Sequence, residues 1–149
     1  MNRILAAVDL SEGAETVLTF SAELAREEHA KLTVIYAYPA TLPVNVLATT
    51  FGTGTFMVPD YVPNELETFR ERLEQIVVKT GLTGVDCVCV QGPVVEAIRD
   101  TAEKLHSDII ITGQHHHGRL FHAVFGSIHE ALMSDAPCPV VVVPNSTHA

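Results

Sequence analysis

Gly126-Ser127-Ile128 opens a predicted helix thirteen residues after Gly113, and Gly113 follows the apolar run Asp108-Ile109-Ile110-Ile111-Thr112. A strand that ends at a glycine and returns through a helix starting Gly-Ser turns backbone N–H groups and a hydroxyl toward an anion, most often a phosphate. Between the two glycines stand His115, His116 and His117, where a glycine-rich phosphate loop would carry small residues. A second reactive group, Asp9, ends the apolar run Ile4-Leu5-Ala6-Ala7-Val8. A polar acid at the end of a buried strand must find a partner. Two partners are open to it: the dipole of the helix that follows, near Ser11, or a bound ligand. Gly126-Ser127 is likewise readable as a simple helix N-cap or as a phosphate contact.

His115, His116, His117, His122 and His129 place five of the eight histidines within fifteen residues. Imidazoles are common ligands for transition metals. Three consecutive side chains do not converge on one ion without a special loop, however, and no Cys or carboxylate stands beside them at a ligand spacing. The tract is expected to be solvated or to face phosphate, with no dedicated metal site. His122 and His129 are seven apart and share a face if one helix carries both.

Catalysis has little support. No nucleophile-elbow pattern occurs, and Asp9, His115 and Ser127 form no ordered triad. No Gly-Lys-Ser or Gly-Lys-Thr of a Walker loop is present, nor any lysine between Gly113 and Ser127. The expectation is at most slow ATP hydrolysis, and a hydrolase of nucleotide phosphates is the least favoured reading.

Elements that would hold these residues follow from periodicity. Val- and Ile-rich segments alternate with segments of helical period, as in βαβ units with a parallel sheet. Strands are expected at Ile4 to Asp9, Leu32 to Tyr38, Val85 to Gln91, Asp108 to Thr112 and Val140 to Val143. Ser11 suits the N-cap of a first helix whose inner face is Ala14, Val17, Leu18, Ser21, Leu24 and Ala25. Val62, Leu66, Phe69, Leu73, Ile76 and Val77 mark a second helix ending before Gly81. Pro93 suits the first turn of a third, with Val95, Ile98, Ala102 and Leu105 inward. A last helix runs from about Leu120 or Gly126 to Ser134. The Pro- and Gly-containing connection 39–62 is long enough to be functional or mobile. Strands of continuous Val and Ile are buried on both faces. The fold class is therefore α/β, a doubly wound five-stranded parallel sheet with helices on both faces. With strand order 3-2-1-4-5, the order reverses between strands one and four, and Asp9 and Gly113 meet there.

The 149 residues are expected to form one domain with its own core, 47% hydrophobic and 18% charged, which excludes disorder. Asp and Glu total 18 against 9 for Lys and Arg, and a net charge of -9 repels nucleic acid. Asp9 interrupts the first apolar run too early for a signal peptide, and no run approaches a membrane span. A cytoplasmic protein is expected. Cys87 and Cys89, two apart on a strand, and the lone Cys138 then read as small buried hydrophobes rather than a disulfide framework.

The chain resembles the universal stress proteins of single-domain type. The resemblance covers nearly the whole length: Ile4-Leu5-Ala6-Ala7-Val8-Asp9-Leu10-Ser11-Glu12, the second strand, Gly92-Pro93, the Gly113 to Ser127 loop, and Ala136-Pro137-Cys138-Pro139-Val140-Val141-Val142-Val143-Pro144. It implies an adenine nucleotide alpha hydrolase-like fold and a stress-response module that binds ATP or AMP. Nucleotide-binding members show Gly, two residues, Gly, nine residues, then Gly with Ser or Thr. Gly113 and Gly126-Ser127 fall in register, but His116 takes the place of the middle glycine, and Gly118 is shifted by two. A branch of the family lacking these glycines does not bind ATP, so two implications stay open: a nucleotide-binding protein, or a dimeric interaction module without nucleotide. Histidine reaches left-handed backbone more readily than most residues, and its imidazole can donate to phosphate.

Carried over by position, the resemblance puts Asp9 and Ala37 near adenine or ribose, with Ala7 and Thr112 beside them. Gly113, Gly126, Ser127 and Ile128 would meet ribose and phosphates, with His115 and His116 in the same loop. Any metal would enter only as Mg carried by the nucleotide. The resemblance also implies homodimers joined through the last strand, Val140 to Val143. An apolar edge strand left bare is an aggregation hazard that pairing with a second copy removes.

Overall fold

The computed structural model describes residues 1–11, 13–38, 65–114 and 128–144. The expectations for 39–62, His115–His117, His122 and Gly126–Ser127 lie outside the described residues. Along the described chain run β1 (Arg3–Ala7), α1 (Ala14–Glu28), β2 (Lys31–Tyr38), α2 (Glu65–Lys79), β3 (Asp86–Gln91), α3 (Val94–Leu105), β4 (Ile109–Gly113), α4 (Ile128–Asp135) and β5 (Val140–Val143). The strands form one parallel sheet in the order β3-β2-β1-β4-β5, the order expected.

Alternation along each strand divides the apolar side chains between two layers. Ile4, Ala6, Val34 and Ile111 meet Val17 and Leu18 of α1 and Leu73 and Val77 of α2. Leu5, Ala7, Ile35 and Ile110 meet Ile98 and Ala102 of α3 and Leu132 of α4. Because both faces are covered, Ile4 through Val8 are all buried. Burying one such Ile or Leu side chain contributes roughly 1.5–3 kcal/mol. Cys87 and Cys89 pack on the α2 side, as their two-residue spacing predicts. All three thiols are free, and burial pushes each above the ordinary thiol range, so they behave as small apolar groups.

α1 and α3 end alike. His29 (φ 53°) and His106 (φ 50°) take the left-handed conformation. The next N–H in each case returns to an alanine carbonyl, Ala30 to Ala25 and Ser107 to Ala102, both at 2.9 Å. These are Schellman-type closures with histidine where glycine is usual. Each delivers the chain to the start of β1: the Lys31 N–H donates to the Asn2 carbonyl at 2.8 Å, and that of Asp108 to the Arg3 carbonyl at 2.9 Å.

Asp108, expected as the first residue of a strand, instead precedes β4 and clips β1. One carboxylate oxygen accepts the N–H groups of Asn2 at 2.6 Å and Arg3 at 2.9 Å. Pro93 also sits one residue earlier than expected, capping α3 from an extended conformation (ψ 126°) rather than lying inside its first turn. No described helix is long and apolar enough to cross a membrane.

The two backbone hydrogen bonds hold the Asp108 carboxyl below its ordinary value of 3.8. A depressed folded-state pKa contributes stability that is fully present above the unfolded value and lost as pH falls through the folded one. Asp108→Asn should therefore melt at lower temperature than the parent at neutral pH, and the gap should close under acid. Thermal melts across that range test this; a gap of constant size would show that the carboxylate charge is irrelevant.

Candidate functional site

The chain leaves β1 for α1 on one face of the sheet, while α4 follows β4 on the other. Adjacent parallel strands whose helices diverge in this way open a crevice at their carboxyl ends. Register places Ala7 of β1 directly against Thr112 of β4, with Ile35 of β2 on the other side. The Val8 N–H continues the ladder to the Ile35 carbonyl at 3.0 Å, so Ala37 and Asp9 lie just beyond. Ala7, Thr112 and Gly113 are buried, while Ala37 and Asp9 are half-buried. The structure thus brings together Ala7, Asp9, Ala37, Thr112 and Gly113, residues that are widely separated in the chain. Ile128 is the first residue of α4. His115, His116, Gly126 and Ser127 fall outside the described residues. Among those described, no group of three or more His, Cys, Asp or Glu side chains is placed to hold a metal ion.

Ser11 does not cap α1. The N-cap is Gly13, which makes no side-chain capping bond. The Ser11 hydroxyl donates to Asp9 Oδ1, and the Ser11 N–H donates to the same oxygen at 3.0 Å. This is an Asx-type turn, in which the acid captures the hydroxyl that would otherwise reach the helix N–H groups. The turn orients the Asp9 carboxylate at the strand end before any ligand arrives.

Gly113 is required for a reason that the sequence reading missed. Its φ is not positive; the described glycines that need a left-handed or mirror conformation are Gly81, Gly84 and Gly92. A Cβ at position 113 would lie 2.7 Å from Cγ2 of Val17. A β-branched side chain on a helix has essentially one rotamer and cannot swing away. Glycine here lets α1 sit close over β4, and no local pattern could reveal a contact between residues so distant in sequence.

Also missed is an aromatic wall beside Asp9. Tyr36 and Tyr38, two apart on β2, stack with centroids 5.7 Å apart, and Phe69 of α2 closes on both at 5.3 and 4.7 Å. Burial pushes the Tyr36 phenol above its ordinary range; the Arg72 guanidinium opposes this and the negative charge of Asp9 adds to it. The i, i+2 tyrosines carried the available signal.

A parallel sheet whose order reverses at its centre, with helices on both faces, defines the open α/β class of domains. The sequence profile of the Universal stress protein family matches residues 1–144, and the chain belongs to that family. It is 31% identical over 144 residues to Universal stress protein A homolog 1 of Coxiella burnetii, with 94% of each chain covered. In fold it is similar to the universal stress protein UspA from Lactobacillus plantarum (TM-score 0.68, 21% identity, 95% and 97% of the two chains covered). It is also similar to a universal stress protein crystallised in complex with cAMP (TM-score 0.67, 16% identity, 97% and 98% covered).

Gly113→Ala should destabilise the fold by about 1–3 kcal/mol, the usual cost of overpacking. Val17→Ala in the same chain should return much of that loss, as chemical denaturation of the two single variants and the double variant would show. Additive losses would mean that the two residues do not collide.

Proposed function

We propose that this universal stress protein binds an adenine nucleotide, ATP or AMP, between the carboxyl ends of β1 and β4, and that the bound state is what partners read in a stress response. The observation that carries the reading is the pairing of Ala7 with Thr112 at the sheet reversal, with Asp9 oriented immediately beyond it. The cAMP complex of a structural relative supports the ligand class. Asp9 accepts a hydrogen bond from the adenine amine or a ribose hydroxyl, in surroundings that Ala7, Ala37 and Thr112 keep narrow. Gly113, Gly126, Ser127 and Ile128 serve ribose and phosphates through amides and a hydroxyl. His115 and His116 belong to the phosphate loop, and the imidazole of His116 donates where the family motif has glycine. Mg arrives only on the nucleotide. With no lysine in the loop, turnover of ATP is slow or absent. The protein is cytoplasmic, a single domain over 1–149, and works as a homodimer through β5.

One observation favours the reading without nucleotide: the Asp9 carboxylate already serves the Ser11 turn, so the acid has a structural use. The fold would then act as a dimeric interaction module. Calorimetry separates the two. AMP or ATP should release binding heat with the parent chain, and Asp9→Asn should weaken affinity about tenfold or more through loss of a charged acceptor. No heat and no thermal shift with either nucleotide would leave the interaction module standing.

β5 is an edge strand whose Val140, Val141 and Val142 are only half-buried within one chain. That supports pairing with a second copy. Val141→Asp should shift sedimentation from dimer to monomer; an unchanged dimer would put the interface elsewhere.

A further inference from the structure

Among the described residues, the buried polar side chains are Ser21, Thr33 and Thr112. Ser21 is satisfied within α1, where its hydroxyl donates to the Val17 carbonyl at 2.7 Å. Thr112 is 2% exposed, and among the described residues its hydroxyl has no hydrogen-bond partner. A hydroxyl buried without a partner weakens the fold that carries it. Its place is the reversal of the sheet. Register aligns one row of side chains near the carboxyl ends of the strands: Val88, Ile35, Ala7, Thr112 and Val142. Strand alternation puts this row on the α3 face with Leu5 and Ile110, which stand two residues earlier on the central strands. From Leu5 to Ala7, and from Ile110 to Thr112, the central side chains become smaller and one of them becomes polar. The step falls between β1 and β4, so Thr112 lies on the floor of the crevice, with the half-buried Ala37 and Asp9 just beyond it.

We infer that Thr112 is a polar anchor for the ligand: its hydroxyl, held without a protein partner, hydrogen-bonds the nucleoside half of the bound nucleotide. This inference rests on the nucleotide reading above and adds to it a side-chain contact from the strand itself. A hydroxyl both donates and accepts, so a base nitrogen or a ribose hydroxyl satisfies it equally. The group is already out of water, so a bond to the ligand costs it no further desolvation and relieves the unpaired state of the free protein. Thr33 supplies the contrast. It is 6% exposed on the same face, also without a partner among the described residues, but it lies one row deeper, beside the fully buried Leu5 and outside the β1–β4 pair.

The test measures adenosine, AMP and ATP binding by calorimetry, and melting without ligand, for the parent chain, Thr112→Val, Thr112→Ser and Thr33→Val. Valine keeps the shape of threonine and removes the hydroxyl. Thr112→Val should melt about 2 °C or more above the parent. It should nevertheless bind all three ligands roughly five- to tenfold more weakly. Thr112→Ser, which keeps the hydroxyl, should stay within about twofold of the parent's affinities. Thr33→Val should also melt higher but keep the parent's affinities. A lower melting temperature for Thr112→Val would reveal a partner inside the protein. Unchanged affinities, or an equal loss for Thr33→Val, would show that the ligand ignores the hydroxyl. Either result overturns the anchor while leaving nucleotide binding intact, and a loss confined to AMP and ATP overturns its assignment to the nucleoside. A parent chain that binds none of the three overturns both readings.

Discussion

β1 and β4 run side by side in parallel, yet the helices that follow them lie on opposite faces of the sheet. Parallel neighbours whose following helices lie on opposite faces characteristically leave a crevice between their carboxyl ends. The handedness of parallel crossovers makes the gap a consequence of strand order. In open sheets of this kind the carboxyl ends of the strands at the reversal are the usual place for a ligand.

Packing holds that gap in shape. α1 can lie close over β4 only because residue 113 has no side chain, and Val17 occupies the space instead. Asp9 is fixed from the other direction, by a turn closed through Ser11 rather than by the helix that follows. A ligand would therefore meet an acid whose orientation is already set, with little freedom left to lose on binding. The stacked Tyr36 and Tyr38 and the adjoining Phe69 stiffen the same end of β2.

Much of this architecture was legible because buried parallel strands have a plain signature. Val140 to Val143 was expected as a strand and is one, bounded as read, since prolines on both sides leave little latitude. The inner faces of α1 and α3 followed from spacing alone, and the juxtaposition of Asp9 with Gly113 followed from strand order. What escaped depends on partners distant in the chain or on competition between neighbours. Ser11 has the chemistry of a cap, but Asp9 two residues earlier takes its hydroxyl. Asp108 looked like the opening of a strand because its real partners, the amides of Asn2 and Arg3, lie at the other end of the sequence. Gly113 was read as a phosphate glycine; Val17 leaves no space for a Cβ there, which adds a packing demand that the local pattern does not carry. The family glycine pattern, interrupted at His116, points to the same end of the sheet as Asp9, while the aromatic wall at Tyr36 and Tyr38 went unread because two tyrosines on a strand look like ordinary core.

The twin histidine closures of α1 and α3 both return the chain to β1, and they do so at very different times during synthesis. β2 can close one edge of β1 as soon as it leaves the ribosome. The other edge, Ile4 to Ala7, waits for β4, which lies more than 100 positions along the chain from Arg3. At translation rates of ~5–20 residues/s, that apolar edge stands unpaired on the nascent polypeptide for several seconds. The central strand of the finished sheet thus spends part of its own manufacture with one apolar edge open.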